Sequence, residues 1–155
     1  MTTTPAPGHV PDCFSCRGNV AATLPARESI VRTDHWRVAH AFDTDLPGWL
    51  VLLPTSHVTA IAELEPAAMA DLGPLLRDLS IALRDETGCV KTYVMQFAEA
   101  EGFAHVHFHL VPRMPDQPVE HRGPKVFAHL GHADPDRVSV EDQDALAEAL
   151  RRRLA

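Results

Sequence analysis

The chain predicts an α+β fold built on a mainly antiparallel sheet. Three observations carry this: short apolar or alternating runs in both halves, one long stretch of helical period between them, and a second helical stretch at the end. Residues 1–12, rich in Thr, Pro and Gly, read as a tail, and residues 13–155 as one domain. A turn at Cys13-Phe14-Ser15-Cys16 is followed by two alternating runs, 28–33 and 35–42, expected as strands. Residues 43–48 supply Asp, Pro and Gly for a turn, and the fully apolar run 49–54 is expected as a central strand stopped by Pro54.

From Pro66 the period changes. Met69, Leu72, Leu75, Leu76, Leu79, Ala82 and Leu83 recur at three and four residues, predicting an amphipathic helix with Pro66 in its first turn and Gly88 at its close. Pro74 lies inside it and removes one helical hydrogen bond, so a kink is expected there. Two further strands are expected over 89–97 and 105–111, joined by a turn at 98–102. Residues 113–137 read as irregular. A last helix over 140–154 ends in three arginines, which suit the negative end of its dipole.

Composition narrows the function. Apolar residues make up 45% of the chain and mean hydropathy is near zero, as in soluble globular proteins. No run reaches the ~18 apolar residues of a membrane helix. The first residues lack the basic and apolar segments of a signal peptide, so a cytoplasmic location is expected. A net charge of −7 argues against non-specific nucleic-acid binding, which needs a basic face. In a reducing compartment, Cys13 and Cys16 suggest metal binding or redox chemistry rather than a structural disulfide.

The sharpest feature is HVHFHLVPR, residues 105–113. On a strand, alternate side chains share a face, so His105, His107 and His109 stand roughly 6–7 Å apart on one side. Val106, Phe108 and Leu110 then pack on the core. Serine or lysine would serve a merely solvated face equally well, so three histidines in five residues point to chemistry. A neutral imidazole can be ligand, base or nucleophile near pH 7. Two arrangements stay open: three histidines around one catalytic metal, or a division of labour among the rings. Two thiolates need two more ligands for a tetrahedral zinc, and His57 and His105 are the candidates.

His105-Val106-His107-Phe108-His109-Leu110-Val111-Pro112-Arg113 resembles the signature of the histidine triad (HIT) superfamily. Gly48 to Val58, a strand ending in proline and then His57-Val58, is similar to the family's upstream strand, and the Cys-x-x-Cys resembles that of its zinc-bearing bacterial members. The resemblance implies a HIT-like fold, with a five-stranded mainly antiparallel sheet and two main helices, usually as a homodimer. It implies a nucleotide phosphoanhydride or phosphoramidate hydrolase, or a nucleotidyl transferase, working through a covalent nucleotidyl-histidine. His107 would be the nucleophile and His109 its support at the phosphate or leaving group. Cys13, Cys16, His57 and His105 would hold a structural zinc. Asp43 falls near the family's ribose contact, and Arg113 is a candidate for phosphate. Two positions depart from the pattern: Glu101 stands near a usual glutamine, and Trp49 where many members place histidine, so both are expected to shape the nucleotide site. The alternative is a catalytically weak nucleotide-binding or partner-binding HIT protein.

Overall fold

The computed structural model describes residues 8–155, so the first seven residues of the expected tail lie outside the described residues. The elements are α1 (Phe14–Val20), β1 (Val31–Arg32), β2 (Trp36–His40), β3 (Leu50–Pro54), α2 (Pro66–Thr87), β4 (Lys91–Gln96), β5 (Phe108–Arg113) and α3 (Val140–Leu154). The five strands form one sheet in the order β1-β2-β3-β5-β4, every pairing antiparallel. This is the α+β architecture expected, with α2 and α3 as the two main helices.

The sheet divides the core in two. On one face Trp36, Val38, Leu50, Leu52, Phe108 and Leu110 pack against Leu72, Leu79 and Leu83 of α2 and Leu150 of α3. Trp36 also donates its indole N–H to the Ala68 carbonyl at 2.8 Å, tying β2 to the start of α2. On the other face Ala41, Trp49 and Val111 meet Val126, with Phe127 and Leu130 packed around them. Each strand places alternate residues on the two faces. One face is sealed by helices, and the other is left to form a site.

Helix α2 runs unbroken through Pro74, and Gly88 closes it in a left-handed conformation at φ 74°. Met69, expected on its buried face, is exposed, and Ala68 takes the inward place. Several ends also differ from expectation. Residues 26–28 form a single 3-10 turn, shortening the first strand to two residues. The 119–129 stretch folds into two 3-10 turns, Val119–His121 and Gly123–His129. The Cys-x-x-Cys, expected as a turn, opens a helix: Cys13 is its N-cap and Cys16 lies within its first turn. Seven residues containing Gly18 and Asn19 are too few and too weakly helical to announce themselves by periodicity. No helix among the described residues is long and apolar enough to cross a membrane.

Candidate active site and metal centre

Strand β5 begins at Phe108, three residues later than the alternation predicts. His105 and His107 precede it outside any strand, and the segment is held because Val106 N–H donates to the Val58 carbonyl at 2.8 Å. That bond brings the segment after β3 alongside the triad, and His57 with it.

Four side chains converge at this corner. The ligand atoms of Cys13, Cys16, His57 and His105 all lie within 4.8 Å of one another. A tetrahedral ion with bonds of ~2.3 Å to sulfur and ~2.05 Å to nitrogen would space sulfur from nitrogen by ~3.6 Å and nitrogen from nitrogen by ~3.3 Å. Here the Cys13 and Cys16 sulfurs are each 3.6 Å from His105 Nδ1, Cys16 Sγ is 3.4 Å from His57 Nδ1, and the two Nδ1 atoms are 3.2 Å apart. The four residues fit one metal ion.

Hydrogen bonds prepare the donors. His105 Nε2 lies 2.9 Å from the Pro54 carbonyl, which can only accept, so the proton sits on Nε2 and Nδ1 presents its lone pair. Val10 N–H donates to Cys16 Sγ at 3.5 Å, so residue 10 is folded over the thiols. Burial pushes the Cys16 thiol up, so a metal must displace its proton.

The next two rings face elsewhere. His107 and His109 line a cavity of about 360 Å³, within the usual range for small-molecule sites. Its floor is the open sheet face, Ala39 of β2 and Ala41 just after it with Val51 and Leu53 of β3, and Phe14, Phe42 and Phe103 cluster at one wall. His107 Nδ1 is 2.9 Å from the His105 carbonyl and must donate to it, leaving Nε2 with a free lone pair. His109 Nδ1 instead accepts the Trp49 indole N–H at 3.0 Å. The neutral ring of His109 therefore carries its proton on Nε2. Burial first, and the neighbouring His107 second, lower the pKa of His109 to about 4. Neighbouring histidines thus hold opposite tautomers, one an acceptor at Nε2 and the other a donor.

The remaining sequence candidates scatter. Asp43 lines the cavity, and its Oδ2 accepts Gly131 N–H at 3.1 Å. Trp49 is fully buried beneath His109 and Phe127 and does not line the cavity itself; its indole N–H reaches the site through His109. Glu101 sits on an exposed turn outside the cavity, whereas its neighbour Glu99 lines it. Arg113 lies at the far end of β5, opposite Lys91, and donates to the Met114 carbonyl.

Sequence reasoning passed over Glu28 and Arg37, which line the cavity. Arg37 is only 2% exposed. A charged residue inside an otherwise buried strand was the available signal, since such a group survives only with partners. It has them: Nε donates to Asn19 Oδ1 at 2.8 Å and Nη1 to the Glu28 carbonyl at 2.8 Å.

No protein-family model matches the chain, and no curated protein matches it in sequence. Solved structures do match in shape. A zinc-bound histidine triad family protein from Mycobacterium smegmatis superposes with a TM-score of 0.65 at 17% identity, covering 90% of this chain and 94% of that one. A hypothetical histidine triad nucleotide-binding protein from Sulfolobus tokodaii gives 0.68 at 13% identity, covering 92% and 91%. Diadenosine triphosphate hydrolase from Plasmodium falciparum gives 0.62 at 16%, covering 83% and 77%. This chain has the HIT-like α+β fold that the resemblance of its triad implied.

Proposed function

We propose that the protein is a nucleotidyl hydrolase or transferase that works through a nucleotidyl-histidine at His107. The observation that carries this is the His107 ring, whose Nδ1–H is held on the His105 carbonyl while Nε2 opens on the cavity. Lone-pair attack by Nε2 on the α-phosphorus of a bound nucleotide forms the N–P bond, and the bond to the leaving group breaks with its electron pair. The leaving group takes any proton it needs from solvent. The positive charge that develops on the ring is stabilised through Nδ1–H by the His105 carbonyl. Water or another acceptor then attacks phosphorus, the N–P electrons return to His107, and the acceptor releases its proton.

His109 donates Nε2–H to a phosphate oxygen throughout. Its Nδ1 is filled by the Trp49 N–H, so the ring acts as a hydrogen-bond donor and not as an acid. Asp43, at the cavity wall, suits a ribose hydroxyl. Cys13, Cys16, His57 and His105 would hold a structural zinc, which ties the N-terminal segment to the triad. The two thiols fit a reducing, cytoplasmic setting. Strand β4 is a sheet edge with Val94 exposed, which supports a homodimer formed along that edge.

Mass spectrometry of protein quenched at neutral pH with nucleoside phosphoramidates, dinucleotides and sugar nucleotides tests the nucleophile. A nucleotidyl adduct is expected on the His107 peptide, and His107→Ala should lose both adduct and turnover while keeping its fold and metal. Unchanged turnover in His107→Ala would sink the assignment. A second reading, nucleotide binding without turnover, draws on the charges lining the cavity. Glu28, Asp43 and Glu99 face a single arginine already engaged by Asn19 and Glu28. Calorimetric binding of nucleoside monophosphates with no adduct from any substrate would favour it.

A further inference from the structure

The cavity is polar on the side where Arg37 is joined through Asn19 and the Pro54 carbonyl to His105, where a base-binding slot needs only apolar walls. Register locates it: Arg37 pairs with Leu53 across β2 and β3, and Leu52 pairs with Phe108 across β3 and β5. One step along that register puts Leu53 abreast of His107, so the Cα atoms of Arg37 and His107 are two strand spacings apart, or ~10 Å. Glu28 and Arg37 line the same cavity as His107, with Val51, Leu53 and Ala39 between them, so a nucleotide held by its phosphate at His107 shares that cavity with the Glu28 carboxylate.

Both groups are fixed. Arg37 holds Glu28 twice, at its carbonyl (2.8 Å) and at Oε2 (3.4 Å). Its Nε is anchored on Asn19, and Asn19 Nδ2 in turn donates to the Pro54 carbonyl at 2.9 Å. The guanidinium holds the Glu28 carboxylate in place, and neither the long Oε2 contact nor the carbonyl bond exhausts its lone pairs. Glu28 keeps 24% of its side chain exposed, open to the cavity that it lines.

We propose that Glu28, positioned by Arg37, makes this cavity selective for guanine nucleotides. The inference rests on the nucleotide reading above. A carboxylate offers two parallel acceptors, and among the common bases only guanine presents two adjacent donors, N1–H and N2–H₂, on one edge. Adenine and cytosine present a donor beside an acceptor lone pair, which the carboxylate repels. Uracil presents one donor between two acceptors. Burying such a mismatch leaves polar groups unpaired, and that is what makes hydrogen-bonding sites discriminate strongly.

Calorimetric binding of GMP, IMP and AMP to the full zinc-loaded chain, with Glu28→Gln beside it, tests the proposal. GMP is expected to bind at least about tenfold more tightly than AMP, with IMP, which lacks the 2-amino group, between them. Glu28→Gln should weaken GMP by about the same factor and leave AMP within about twofold of the original. Equal affinity for GMP and AMP in the unsubstituted protein overturns the selectivity and leaves the nucleotide reading standing. A Glu28→Gln variant that loses both ligands alike shows a merely structural carboxylate and overturns it too. Binding of none of the three overturns both readings together. The GMP–IMP–AMP series on the unsubstituted chain decides the matter even if the variant fails to fold.

Discussion

The two halves of HVHFHLVPR share one alternation but are put to different uses. In the first half, His105 is off the strand, buried, and turned by the Pro54 carbonyl toward two thiols and His57. In the second, His109 is on β5, paired across the sheet with Val51 and Met95, and turned by Trp49 toward the cavity. His107 stands between them. Alternation decides which face a ring takes, and the partner of its other nitrogen decides what that ring can do. A carbonyl leaves His105 and His107 with a lone pair at the far nitrogen, and an indole leaves His109 with an N–H there to donate in a hydrogen bond.

The largest effect should come from the first half. In small zinc peptides, metal binding contributes on the order of 10 kcal/mol to folding, which is comparable with the whole stability of a typical domain. With the proposed zinc in that corner, Cys16→Ser is expected to lose the metal and most of its cooperative thermal unfolding, and chelation of the unsubstituted protein should do the same. Elemental analysis alongside calorimetry checks this; an unaltered melting temperature in a zinc-free variant would remove the metal from the account of stability. Because burial raises the Cys16 thiol, zinc uptake should release protons and weaken as pH falls.

The second half should respond to pH through His109. Its folded pKa is about 4, against 6.5 for an unperturbed ring. Between those values the unfolded chain binds a proton that the folded chain does not, so stability rises with pH across this window and falls on acidification. By pH 4 the loss from this ring is on the order of 3 kcal/mol. Urea unfolding of His109→Gln, which keeps an acceptor for Trp49 but cannot titrate, should show a shallower decline from pH 7 to 4.5 at equal zinc. Parallel declines in the two proteins would refute it.

Trp49 should matter next. Trp49→Phe leaves His109 Nδ1 buried without its donor, a deficit of about 1–3 kcal/mol, and frees the ring to change tautomer. Turnover is expected to fall about tenfold to a hundredfold. Nitrogen NMR should show the Nε2–H tautomer of His109 in the unsubstituted protein and a mixture in the variant. Trp49→His, which restores an N–H, should recover part of both; if the tautomer does not respond, Trp49 is only filling space.

What the sequence revealed follows from the range of each interaction. Helices α2 and α3 were legible because fifteen to twenty-two residues repeat one period. The convergence of Cys13, Cys16, His57 and His105 was legible only as a set, because the Cys-x-x-Cys alone also suits redox chemistry and the resemblance of the triad supplied the other two. Helix α1 was hidden by its length, and the start of β5 by a bond from Val106 to Val58, 48 residues away in the chain. Trp49 was visible as an oddity, but its partner 60 residues on was not. Arg37 carried a signal, a charge inside an apolar strand, but its partners Glu28 and Asn19, nine and eighteen residues away, did not.

The smallest effect should come from Gly18, where the two halves are mechanically joined. It lies in α1 between the thiols and Arg37, and a Cβ there would meet Arg37 Nη2 at 2.6 Å and Cζ at 3.0 Å. Alanine favours a helix over glycine by about 1 kcal/mol, whereas overpacking a filled interior costs about 1–3 kcal/mol. Arg37 decides the sign: a free arginine would swing aside, but this one is buried and bonded to Asn19 and Glu28. Gly18→Ala should therefore lower the melting temperature modestly with zinc still bound. It should also loosen Glu28, because the displaced guanidinium takes the carboxylate with it. A variant more stable than the parent would mean that Arg37 yields, and that the metal corner and the cavity are less tightly joined than the Arg37–Asn19–Pro54–His105 chain of contacts implies.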